Sequence, residues 1–235
     1  MTKSRLPDST NSWRAFQATK LYDALTAAPV ILVFGSSGAH LAKGLLETLL
    51  QTELSSVDAV FAISLLRQAM GLVLILLLMT FLIVRNPAKV KARGVMPRLA
   101  AFAGTYLGVL IVWLPPQPIP VVLSSTSLLL MVAGVGFSIY SISHLGRSFS
   151  LMAEARNLVM DGPYAKIRHP LYLGEAMSFL GLTLQFLSPL AVALFVVQIG
   201  FQLVRMQNEE TVLGDLFPEY EQYKANTARL VPGLY

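Results

Sequence analysis

Long apolar stretches alternate with short charged ones along this chain, and the apolar stretches have the length of membrane spans. A bilayer core takes about 17–25 predominantly apolar residues per helix. Six segments have roughly that length, at residues 27–50, 59–84, 97–114, 121–144, 171–187 and 189–206. The first is the least regular, because Gly35, Gly38, His40, Lys43 and Gly44 interrupt it. The last two are short and separated by Ser188-Pro189, which predicts a tight helical hairpin. Pro115-Pro116-Gln117-Pro118 cannot continue a helix and predicts a stiff turn after the third span. The expected fold class is all-α, a polytopic membrane protein of about six transmembrane helices.

Composition sharpens this picture. Of the 235 residues, 54% are hydrophobic and 13% charged, against about 25% charged in soluble domains. The charges cluster between the apolar segments, as they do in a chain solvated by lipid. There is no cysteine, which excludes disulfides, thiolate metal sites and a cysteine nucleophile; no metal site is expected. The polar residues 1–20 do not lead directly into a short apolar core with a small-residue cleavage site, so no cleaved signal peptide is expected.

The net charge of +5 reads as orientation rather than as nucleic-acid binding. Basic residues fall in 3–20, in 85–98 (Arg85, Lys89, Lys91, Arg93, Arg98), in 147–168 and after Arg205. The connections 51–58, 115–120 and 188–189 carry no Lys or Arg. Six spans put every basic block on one side, so both termini are expected in the cytoplasm. Arg67, inside the second span, is the exception; it suits either a snorkelling side chain or an interior ion partner.

Candidate chemistry concentrates toward the C-terminus. Residues 144–170 hold His144, Arg147, Glu154, Arg156, Asn157, Asp161, Tyr164, Lys166, Arg168 and His169. Asp161-Gly162-Pro163 predicts a turn. Pro170 suits a first helical turn, where no amide donor is lost, and this sets Arg168 and His169 at a helix N-terminus that favours anions. Arg205 and Glu209 are four apart and share a helix face. The hairpin brings its two cytoplasmic ends together, so His169 meets Arg205 and Glu209 at the membrane surface. A cationic donor with an amino acid tail suits such a mixture of carboxylate, imidazole and guanidinium. Plainer readings stand beside this one. Arg168 and Arg205 also suit membrane anchors, Glu209-Glu210 a solvated helix end, His169 a cap, and Gly134 and Gly136 close helix packing.

Together these residues form a long ordered pattern. Gly162-Pro163-Tyr164, Arg168-His169-Pro170-Leu171-Tyr172-Leu173-Gly174, Arg205, Glu209-Glu210, Phe217-Pro218-Glu219-Tyr220-Glu221-Gln222-Tyr223 and Leu230-Val231-Pro232 resemble the isoprenylcysteine carboxyl methyltransferase family. Leu145-Gly146-Arg147-Ser148-Phe149 fits its bacterial members. Phospholipid N-methyltransferases are similar more distantly, through Gly134/Gly136 and the Glu-Glu pair. The resemblance implies S-adenosylmethionine as methyl donor, contacted by Tyr164, His169, Pro170, Leu171, Tyr172 and Glu209, with Glu210 as a weaker candidate. It extends more loosely to Arg156, Asn157, Leu158 and Val159. Arg205 is implied to face the methyl acceptor.

The expectation is therefore methyl transfer to a lipophilic small molecule or lipid, with a carboxylate acceptor favoured, in a multi-pass protein of a bacterial inner membrane. Residues 121–235 are expected to form the methyltransferase core, and residues 1–120 a polar segment and three helices to which no chemistry is assigned. Phospholipid amine or thiol methylation differs in the acceptor alone. Sterol reductases, which share a related C-terminal membrane fold and bind a reduced nicotinamide dinucleotide, are longer. A transporter would show more ionisable residues deep in its spans.

Overall fold

The computed structural model describes residues 19–51, 59–84, 86, 90–91, 94–107, 110–111, 114, 119–150 and 154–233. The expected proline turn at 115–118, residues 52–58 of the connection 51–58, most of the N-terminal basic block and the side chains of Arg67, Arg85, Lys89, Arg93 and Arg98 lie outside them.

The described chain is all-α apart from one two-residue strand pair. Its helices are α1 (Lys20–Gln51), α2 (Ala59–Val84), α3 (Met96–Tyr106), α4 (Val121–Leu145), α5 (Pro170–Gln185), α6 (Pro189–Leu216) and α7 (Tyr220–Asn226). Strand β1 (Val90–Lys91) pairs antiparallel with β2 (Glu154–Ala155), with Val90 opposite Ala155. Among the described residues, three segments are long and apolar enough to cross a membrane, namely Ala28–Leu50, Val121–Ser148 and Pro189–Leu216, and Gln68–Val84 forms a shorter apolar helix. Outward-facing Leu32, Leu50, Leu66, Val121, Val122 and Val196 give these helices the apolar exterior that lipid solvates.

Close packing of small residues joins α4 to α5. A Cβ placed on Gly134 would lie 2.5 Å from Ser178 Oγ and 2.6 Å from the Gly174 carbonyl oxygen. One on Gly181 would lie 2.6 Å from the Ser127 carbonyl oxygen. Ser127 Oγ donates to the Gly181 carbonyl at 2.6 Å. Small side chains let helix backbones approach where lipid supplies no hydrophobic drive for association. Gly134 and Gly136 are thus packing residues, the second against Met70 of α2 at 3.1 Å.

The predicted hairpin is present. Helix α5 ends at Gln185, and Ser188 caps α6 by accepting from the Ala191 amide at 3.2 Å, with Pro189 in the first turn. Helix α6 then runs to Leu216, ten residues past the expected apolar segment, and that extension carries Glu209 and Glu210. Leu82, Ile142 and Phe149 form a buried cluster, against which Val30, Ile31 and Phe34 of α1, Phe81 of α2 and Leu171 of α5 pack. The first two helices therefore brace the end of α4 and the loop behind it.

Candidate active site

Three stretches of chain converge at the N-terminal end of α5. The loop after α4 turns at Gly146, whose φ of +47° belongs to glycine's range. Asp161-Gly162-Pro163 makes the predicted turn: Gly162 has φ +56°, and the Tyr164 amide donates to the Asp161 carbonyl at 3.0 Å. A side chain at Gly162 would strike the His144 ring. That ring donates through Nδ1–H to the Tyr140 carbonyl at 2.9 Å, within its own helix. The segment 166–169 is held from the other side by the C-terminal strap. Arg168 and His169 amides donate to the Ala228 and Arg229 carbonyls at 2.8 and 3.1 Å.

His169 occupies the N-cap position of α5 without a side-chain capping bond. Its ring instead reaches α6, with Nε2 3.1 Å from Glu210 Oε1 and Nδ1 3.9 Å from Glu209 Oε2. Glu210 Oε1 also accepts from Arg168 Nε and Arg229 Nε, each at 3.1 Å. An ionised carboxylate is an acceptor alone, so Nε2 carries the proton toward Glu210. Arg168 continues to the carbonyls of Lys224, at 2.9 Å, and Thr227. The Tyr172 hydroxyl donates to Glu209. Neither glutamate is a solvated helix end, and Arg168 is no free anchor.

Between these elements lies a cavity of about 870 Å³, a volume that includes space open to solvent. Arg156, Asn157, Leu158, Val159, Tyr164, His169, Leu171, Tyr172, Arg205 and Glu209 all line it. Ten of the twelve residues singled out by sequence therefore border one cavity. Two do not line it. Pro170 is buried at the start of α5, and Glu210 faces away, binding His169, Arg168 and Arg229. Glu210 thus holds the donors that shape the site instead of bordering the space.

Burial governs the electrostatics. Arg156 is 1% exposed and Arg205 5%, and the Arg205 guanidinium lies over the Tyr172 ring at 4.9 Å from its centroid. Such stacking of a desolvated guanidinium on a ring face is worth about 2 kcal/mol. Burial raises the Tyr164 phenol well above its ordinary value, raises Tyr220, and pushes Tyr223 up to about 12. All three remain hydroxyl donors at neutral pH. Tyr223 donates to the Tyr164 carbonyl at 2.7 Å. The buried hydroxyls of Tyr164 and Tyr220 have no hydrogen-bond partner among the described residues, although both residues border the cavity. A polar ligand would satisfy them.

Sequence reasoning missed Glu175, Gln202, Gln198 and Gly104. Glu175 lines the cavity and accepts from Gln202 Nε2 at 2.9 Å. Gln198 donates to the Gly104 carbonyl of α3 at 2.6 Å, and a Cβ on Gly104 would lie 2.8 Å from Arg205 Cδ. The signal was available: residues 198, 202, 205 and 209 repeat at i, i+4, i+7 and i+11, a polar stripe on one face of an apolar helix.

Comparison with known proteins adds a match over the C-terminal half of the described chain. Residues 123–220 match the model described as Phospholipid methyltransferase. The match covers α4 to α6 and ends at Tyr220, so it contains the cavity's helices and omits α1 to α3. It names the family that the sequence motifs resembled more distantly. The chain is also similar to the cobalt-zinc-cadmium resistance protein CzcN of Cupriavidus metallidurans, 31% identical over 111 residues, 46% of this chain and 50% of that protein. The chain thus spans about half the length of that curated relative. The apolar helices and this match together mark an integral membrane protein.

Proposed function

We propose that the protein is a methyltransferase that takes S-adenosylmethionine into the cavity between α5, α6 and the 156–164 loop, and methylates a lipophilic acceptor. The observation that carries this reading is the composition of one wall. Glu209 and Arg156 supply charges for an amino acid tail, His169 supplies a ring nitrogen, and the hydroxyls of Tyr164 and Tyr220 supply donors for its polar groups. The match to a phospholipid methyltransferase model over the same helices supports it.

When bound, S-adenosylmethionine supplies an electrophilic methyl group on a sulfonium, whose carbon–sulfur bond breaks with its electron pair left on sulfur. Such a displacement disperses charge, so the protein contributes mainly alignment and exclusion of water. Glu209, fixed by the Tyr172 hydroxyl and faced by His169, holds the donor's cationic end. Leu145, Phe149 and Leu171 border the cavity as an apolar wall. Arg205, buried and stacked on Tyr172, orients the acceptor.

The basic blocks place both termini in the cytoplasm in this reading, with the cavity at the cytoplasmic face of a bacterial inner membrane and six spans in all. The test is donor binding by three variants in detergent. Glu209→Ala and His169→Ala lose affinity for S-adenosylmethionine while remaining monodisperse, and Arg205→Ala keeps it but no longer transfers methyl groups. Equal donor binding by all three would refute the site.

A further inference from the structure

A second carboxylate, Glu175, lines the cavity besides Glu209. Glu175 sits six residues beyond His169 on α5, about 9 Å further along the helix. Arg205 sits four residues before Glu209 on α6, about 6 Å further from that same end. The cavity is therefore graded. His169, Glu209 and the orphaned phenols mark one end, and Glu175 and Arg205 mark the other, with Gln202 behind Glu175, toward the apolar middle of both helices. An ionisable side chain at that depth is costly and is kept where it serves a site. Gln202, itself 2% exposed, donates to Glu175 Oε2. The amide thus fixes one carboxylate oxygen.

From this geometry we infer that Glu175 is the proton acceptor for the methyl acceptor, whose nucleophile is an amine or a thiol and not a carboxylate. The inference rests on the methyltransferase reading above. A lone cation at the deep end would select a carboxylate, as Arg205 alone suggests from sequence. The structure sets a carboxylate beside that cation, which removes the preference for an anion and repels an acidic acceptor. It also provides what an ammonium or thiol requires and a carboxylate does not. The N–H or S–H proton passes to Glu175, the freed lone pair forms the new bond to the methyl carbon, and the sulfonium electron pair stays on sulfur. The charged and titratable groups facing Glu175 are Arg205 and Glu209 of α6, Tyr164 of the preceding turn and Tyr172 of its own helix.

The experiment compares wild type with Glu175→Gln in detergent, using hexadecylamine, hexadecanethiol and palmitic acid as acceptors of equal chain length. Calorimetry first measures S-adenosylmethionine binding. The wild type binds it, and Glu175→Gln binds within about twofold, since the donor end is untouched; absence of binding by wild type would sink the donor reading itself. Labelled-methyl transfer by wild type then favours the amine or the thiol over palmitic acid, and which of the two identifies the nucleophile. In Glu175→Gln, kcat with that acceptor falls about 100-fold or more and recovers as pH rises toward the nucleophile's own pKa. Without any donor present, Glu175→Gln also binds hexadecylamine about tenfold more weakly, the loss of one charge-assisted contact. Preference for palmitic acid, transfer to none of the three, or an unchanged rate in Glu175→Gln overturns the assignment. Should Glu175→Gln fail to fold, Gln202→Leu leaves the carboxylate and removes its fixing bond. It lowers amine or thiol transfer about tenfold with donor affinity intact, and wild-type transfer by that variant counts against the proposal.

Discussion

Helix α5 has two faces built on opposite principles. Toward α4 it presents Gly174, Ser178 and Gly181, and the backbones close until no Cβ fits between them. Toward α6 it presents Tyr172 and Glu175, whose polar ends meet Glu209 and Gln202 across a space that stays open. The first face makes a rigid support from residues with almost no chemistry. The second uses large polar side chains to hold a cavity at membrane depth. A site that must align two reactants gains from such a division, because error in the supporting helix pair would be passed directly to the reacting atoms.

The largest effect is expected from closing the comparison at its rigid side. Gly174→Leu drives a side chain into Ser138 and the Gly134 carbonyl, which a Cβ alone already approaches at 2.8 Å. Overpacking typically costs about 1–3 kcal/mol, and here backbone must move, so the variant is expected to lose its monodisperse peak on size exclusion and all donor binding. On the open side, Arg205→Ala is expected to lower transfer about 100-fold while retaining donor affinity, read by single-turnover assay and calorimetry. Gly104→Val tests the same group from a distance. Its added methyls crowd Arg205 Cδ, and transfer should fall about tenfold through misplacement with the donor constant unchanged. The smallest effect belongs to Gly200→Ala, where nothing lies within 4 Å of the new Cβ. It should leave melting temperature and transfer as in wild type.

Most of the helices were legible because lipid imposes length and polarity together. Apolar segments at 59–84 and 121–144 correspond closely to α2 and α4. The end of α6 was not legible in that way, since its last turns are polar and helix continues there on pairing with 168–169 and 229 instead of on lipid. His169, Arg205 and Glu209 were legible together because hairpin geometry brings the ends of α5 and α6 to one place, whereas Tyr164 and residues 156–159 were legible through the family resemblance alone. Glu210 lies off the cavity that Glu209 lines because two adjacent glutamates on a helix point about 100° apart; one faces the cavity and the other the Arg168–Arg229 pair. Glu175 was hidden among apolar neighbours as a single charge in a span. Gly104 was hidden because its role is the space it leaves for a side chain 101 residues away.

The central claim is that one cavity takes the methyl donor through Glu209 and His169. Calorimetric titration of the purified protein in detergent with S-adenosylmethionine tests it most directly, with the demethylated product and a reduced nicotinamide dinucleotide as comparisons. Saturable binding of donor and product, lost in Glu209→Ala and absent for the dinucleotide, is the expected result. A folded sample that binds neither donor nor product, or that binds the dinucleotide instead, would contradict it.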